Sequence, residues 1–73
     1  MSIPEMTPVS SSNIAALGYD PATQTVYVQF LNNCLYVYKN VPDGEYQGLF
    51  NAPSIGSYLH RNFKNVYAYE RIG

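Results

Sequence analysis

The stretch Cys34-Leu35-Tyr36-Val37-Tyr38-Lys39-Asn40-Val41-Pro42 constrains this chain more than any other. It reads as a strand that runs straight into a helix, because Pro closes the ladder and is tolerated in a first helical turn. Tyr36 and Tyr38 are two residues apart and share one side of that strand; Leu35 and Val37 share the other. The hairpin before them decides which side meets the core.

Thr25-Val26-Tyr27-Val28-Gln29-Phe30 is the clearest strand, with β-branched and aromatic residues throughout. Val26, Val28 and Phe30 form its apolar side. Asn32-Asn33 closes the hairpin, since Asn tolerates positive φ. A two-residue loop would pair Val28 with Val37 and turn both tyrosines outward. A three-residue loop, with Asn33 left-handed in a bulge, pairs Phe30 with Cys34 and Val28 with Tyr36. One residue of slip exchanges the two faces. The bulged loop is preferred, because a chain of 73 residues has a thin core that long Tyr rings can cover. The expected core is then Val28, Phe30, Tyr36, Tyr38, Leu49 and Leu59. Tyr27, Leu35 and Val37 are left as an outward apolar strip beside an exposed edge strand.

The remaining elements follow from spacing. Ile14 to Tyr19 is a first strand, with Leu17 and Tyr19 on one side and Ile14, Ala16 and Gly18 on the other. Asp20-Pro21 opens a turn. Asp43 to Asn51 is a short helix with Tyr46, Leu49 and Phe50 at i, i+3, i+4 and acidic residues in its first turn. Ala52-Pro53 breaks it. Ser54 caps a second helix, Ile55 to about Lys64, on which Ile55, Leu59 and Phe63 align. Val66-Tyr67-Ala68-Tyr69 reads either as a short fourth strand or as an ordered tail. The expectation is an α+β domain, a three-stranded antiparallel meander followed by two short helices packed on one face. Residues 1–8 form an N-terminal arm, and residues 9–73 the single domain.

The order Val9-Ser10-Ser11-Ser12, Gly18-Tyr19-Asp20, Val26-Tyr27-Val28-Gln29-Phe30, Tyr36-Val37-Tyr38, Val41-Pro42 and Ala52-Pro53-Ser54-Ile55-Gly56, with Tyr46, Leu49 and Tyr58-Leu59 in place, resembles the KTSC family. That short domain is named for its occurrence at the C-terminus of some lysyl-tRNA synthetases, and it also occurs as small stand-alone proteins. The resemblance runs from about Val9 to Ile72. The chain departs at Asn33, where the family often has Gly, and at Pro53. The resemblance implies a bacterial or phage source and, by analogy of position, RNA binding.

Composition narrows the chemistry. One cysteine, Cys34, excludes an intramolecular disulfide. The N-terminus reads as neither a signal peptide nor a membrane span, so the expected location is the cytoplasm. A serine nucleophile would need His60, the one histidine, as its base, and caps and turns explain the serines. Cys34 with His60 is a dyad in principle, but Cys34 reads as a small apolar residue. No enzyme, metal, cofactor or small-molecule substrate is expected. Net charge is −1, but Arg61, Lys64 and Arg71 gather in the C-terminal third, near His60. Two readings stand: a binding module that uses His60, Arg61, Lys64 and Arg71 on RNA, or a protein-binding or homodimeric module that uses Tyr27, Leu35 and Val37. A small polar pocket would form if Ser11, Tyr19, Asp20 and Ser54 converged.

Overall fold

A computed structural model describes residues 4–73. Five strands form one antiparallel sheet in chain order: β1 (Thr7–Pro8), β2 (Ile14–Asp20), β3 (Thr25–Phe30), β4 (Leu35–Tyr38) and β5 (Tyr69–Arg71). Helices α1 (Asp43–Phe50) and α2 (Ile55–Asn62) lie between β4 and β5 in sequence. The α+β class holds, and the expected three strands are corrected to five. The central meander is flanked by β1, drawn from the end of the N-terminal arm, and by β5. Of the arm, residues 1–3 lie outside the described residues. Residues 66–68 are not strand: Val66 and Tyr67 both donate their N–H to the Phe63 carbonyl in a turn, and Asn65 takes a positive φ of 69°. Pairing begins at Tyr69.

The β3–β4 hairpin has the bulged loop. Asn33 sits at φ 70°, the Phe30 N–H donates to the Cys34 carbonyl at 2.9 Å, and the Asn32 side chain accepts from the Cys34 N–H at 3.1 Å. Val28 therefore stands opposite Tyr36, and Val26 opposite Tyr38. Both tyrosines share the Val26/Val28 face. A register shift between Ile14 and Ala16 brings Ile14 opposite Phe30 while Leu17 remains opposite Val28. This places Ile14 on the core face with Leu17, not on the opposite face as simple alternation predicts, because a bulge resets the period of two.

Both helices pack on this one face. Ile14, Leu17, Val26, Val28 and Tyr38 from the sheet meet Val41, Leu49, Ile55, Leu59 and Phe63; Phe30 and Tyr36 pack against that cluster. Full burial of side chains such as Phe63 and Leu49 contributes about 1.5–3 kcal/mol each. Ser54 caps α2 by accepting from the Ser57 N–H at 3.4 Å. Tyr19 stacks on Tyr46 of α1, centroids 4.9 Å apart, and donates its hydroxyl to the Val41 carbonyl at 2.7 Å. Glu45 of α1 accepts from the hydroxyls of Tyr58 at 2.6 Å and Tyr67 at 3.4 Å, tying the two helices and the following turn together.

The opposite face is not the open strip expected. Val37 is 5% exposed and Tyr27 9%; only Leu35 is half-buried. Gly18, Tyr27 and Val37 form one cross-strand row. A Cβ on Gly18 would lie 2.6 Å from the Met6 sulfur and 3.3 Å from the Glu5 carbonyl oxygen. The arm thus presses onto the row at the one residue without a side chain. The expected open edges also move outward, since β1 pairs with β2 and β5 with β4.

Candidate nucleic-acid interface

An aromatic concavity lies on the helix side, between α2 and the strands β4 and β5. Its volume is about 400 Å³. Phe30, Tyr36, Tyr38 and Tyr69 line it from the sheet, Gly56, Leu59 and His60 from α2, and Lys64 from the turn after α2. Asn13, Asn32 and Cys34 complete it at the hairpin end.

The ring arrangement follows from the register. Tyr36 meets Phe30 edge-on at 5.4 Å between centroids, and Tyr69 stacks on Tyr38 at 5.4 Å. Tyr38 in turn meets Phe63 edge-on at 5.5 Å, so the innermost ring is clamped by the core. Tyr38 is 5% exposed, Tyr36 half-buried and Tyr69 49% exposed, a gradient from floor to rim. Burial, with the neighbouring Tyr69 and Tyr36 hydroxyls, raises the Tyr38 phenol above its ordinary range. It is a neutral hydrogen-bonding group at physiological pH.

His60 and Lys64, both exposed, line the groove, and among the described residues no carboxylate does, so Lys64 is its one charged side chain. Arg71 is not among the lining residues. It pairs across the ladder with Tyr36, and its Nε donates to the Gly73 carbonyl at 3.0 Å. Glu70 pairs with Val37 on the other face, where it meets Lys39 at 3.5 Å. Arg61 points to an adjoining hollow lined by Ser12, Asn13, Ser54, Gly56, Ser57 and His60. Of His60, Arg61, Lys64 and Arg71, named from the sequence, His60 and Lys64 therefore share the groove, Arg61 lies next door and Arg71 sits beyond the rim.

Of the four residues expected to converge, Ser54 alone lines the hollow, where it meets Ser12 and Asn13; Ser11, which donates its hydroxyl to the Asn13 side-chain oxygen at 3.3 Å, Tyr19 and Asp20 do not line it. The Tyr19 hydroxyl is engaged at Val41, and the Asp20 carboxylate accepts from the Ala22 N–H at 3.0 Å. A Cβ on Gly56 would sit 2.8 Å from the Asn13 side-chain oxygen, so the close approach there is to the loop before β2. Cys34 and His60 line one groove, yet among the described residues no hydrogen bond joins them, and no group of three or more His, Cys, Asp and Glu converges. The sequence reading missed Asn13, Asn32 and Tyr69. Asn in a turn carries no signal beyond the turn, and Tyr69 gains its place only through β5.

The family model for the KTSC domain matches residues 10–67. The chain belongs to the KTSC family. A protein of Stutzerimonas stutzeri is 40% identical to this KTSC domain over 65 residues, covering 88% of this chain and 92% of that one. A lysine–tRNA ligase of a Nostoc species is 39% identical over 61 residues, but these make up only 11% of the ligase. The crystal structure of a KTSC domain protein from Yersinia pestis superposes with a TM-score of 0.90 at 33% identity, covering 94% of this chain and 97% of that one. Among the described residues, no helix is long and apolar enough to cross a membrane.

Proposed function

We propose that this KTSC domain is a non-enzymatic, cytoplasmic module that binds single-stranded RNA in the groove between α2 and the last two strands. The observation that carries this reading is the joint presence of four aromatic rings with His60 and Lys64, and of no carboxylate, on one concave surface. Aromatic faces stack unpaired bases at about 1–3 kcal/mol per base. Cations beside them neutralise phosphate. The tRNA named in the ligase relatives is a second support, as an analogy of position within a larger protein. The lack of a hydrogen-bonded base for Cys34 favours binding over catalysis.

Filter retention of short single-stranded RNA at low salt tests it. Retention is expected at a Kd on the order of 10 μM, the middle of the range for largely electrostatic binding. Lys64→Ala should weaken it and make the salt dependence shallower by about one unit of slope. No retention at that concentration, or retention indifferent to Lys64→Ala and Arg61→Ala, ends the reading.

A second reading is self-association. β5 is the terminal strand of the sheet, and Tyr69 and Ile72 on and beside it are 49% and 48% exposed. An open edge bordered by apolar side chains can pair with a second copy. Light scattering decides it: a strict monomer at high concentration removes the dimer.

A further inference from the structure

The groove and the adjoining hollow are two halves of one surface. They share Asn13, Gly56 and His60, and their chemistry differs sharply. The groove carries the rings. The hollow, about 470 Å³, carries Ser12, Ser54, Ser57 and Arg61, and among the described residues no Phe, Tyr or carboxylate lines it. Among the described residues the hydroxyls of Ser12 and Ser57 donate to no protein group, so both are free to donate to a ligand. One half suits a flat apolar ring, the other a compact anion, and His60 stands on the shared wall between them. A nucleotide has this polarity.

From this juxtaposition we infer that the site takes a dinucleotide step of single-stranded RNA: one unpaired base in the aromatic groove, and the phosphate beside it in the hydroxyl-lined hollow at Arg61. This rests on the RNA reading and adds a footprint to it. Two features give the step a direction and a filter. The base end is recessed beside Tyr38, which a base inside a duplex cannot reach without leaving its stack. The phosphate end is open and exposed, so the strand continues outward over α2. At Gly56 the missing Cβ makes room for the Asn13 amide, which packs there on the wall that the two halves share.

Cys34 lines the groove and is the chain's one cysteine, so it reports occupancy without any substitution. The test measures how fast a thiol reagent modifies Cys34 in the presence of adenosine, the dinucleotide ApA, or an RNA duplex without unpaired bases. ApA is expected to slow modification at a concentration about tenfold below that needed for adenosine, which corresponds to about 1.4 kcal/mol from the phosphate. The duplex is expected to leave the rate unchanged. Arg61→Ala, at an exposed position, should reduce ApA to the level of adenosine. Equal protection by adenosine and ApA, or ApA protection untouched by Arg61→Ala, overturns the two-part site. Filter retention of RNA with no protection of Cys34 also overturns it, while leaving RNA binding standing. No retention and no protection removes both.

Discussion

Helix α1 contains two glycines that should respond to alanine with opposite signs. Glycine in a helix interior is less favourable than alanine by about 0.8–1.0 kcal/mol, so Gly→Ala stabilises where nothing intervenes. At Gly44 nothing lies within 4 Å of the added Cβ. Gly44→Ala should therefore gain up to about 1 kcal/mol, less for its first-turn position. At Gly48 the Cβ would lie 2.5 Å from the Tyr58 hydroxyl and 3.2 Å from the ring carbon bearing it. That hydroxyl is held by Glu45 at 2.6 Å, and a phenol ring has no terminal rotor with which to step aside. Displacing it forfeits a hydrogen bond to a charged group, about 1.5–3 kcal/mol, against the helix gain of about 1. Gly48→Ala should thus destabilise by about 0.5–2 kcal/mol, lowering Tm by some 4–8 °C per kcal/mol in a domain of this size. Urea and thermal unfolding of the two single variants measure this directly. The double variant Gly48→Ala with Tyr58→Phe isolates the cause: without the hydroxyl most of the cost disappears, giving a coupling of about 1–2 kcal/mol. If Gly48→Ala stabilises as Gly44→Ala does, the tie between the helices is not rigid and the reasoning fails.

Three further outcomes follow from the same geometry. The phenol of Tyr58 is raised above its ordinary value of 10.0 chiefly by its hydrogen bond to Glu45, and that of Tyr67 chiefly by burial and then by Glu45. A raised folded value means that this stabilisation is complete below about pH 10 and is lost as pH climbs through the folded values; Tm should hold steady from neutrality to about pH 9 and fall above 10, less steeply in the Tyr58→Phe, Tyr67→Phe variant. Asn33 sits at φ 70°, so Asn33→Gly should change stability little, whereas Asn33→Val should cost about 1–3 kcal/mol in thermal unfolding. Gly18→Ala should drive Met6 off the sheet and speed proteolysis within the arm, and Met6→Ala in the same chain should restore much of the protection, because the remaining contact, with the Glu5 carbonyl, is 3.3 Å away.

Much of the fold could be read from residue patterns because the decisive contacts there are local. Asn32-Asn33 marked the hairpin through a backbone preference that Asn itself signals, and the need of a thin core for the Tyr36 and Tyr38 rings selected the register, with Asn33 at φ 70° in the bulge. Ser54 announced α2 for the same reason. The two outer strands left no such trace. Both Thr7–Pro8 and Tyr69–Arg71 are exposed along their whole length, so neither carries the alternation by which a half-buried strand is recognised. The bulge between Ile14 and Ala16 is invisible for a related reason: it breaks the very period used to assign the faces. His60 and Lys64, four apart, could be read as one side of a helix, but not that this side overlooks aromatic rings. That depends on the Tyr36 register and on β5 together.

The groove exists because the sheet is wider than its cover. α1 settles over the β2 side, where Tyr46 stacks on Tyr19, and α2 anchors through Leu59 and Phe63 against Tyr38. Each helix has only eight residues, about 12 Å of length. Adding β5 carries the helix-side face one strand spacing further, by about 4.8 Å, and sets Tyr69 there, 49% exposed and stacked on Tyr38. Tyr36 then changes character: paired on one side with Val28 and on the other with Arg71, it becomes the middle of an uncovered aromatic floor instead of the margin of a core. The residues that extend the packing face into a groove are therefore those after Phe63. In a KTSC chain that kept the meander and both helices but lost the Tyr69–Arg71 pairing, the groove would lose one wall, and the RNA binding proposed here should go with it while the fold remained.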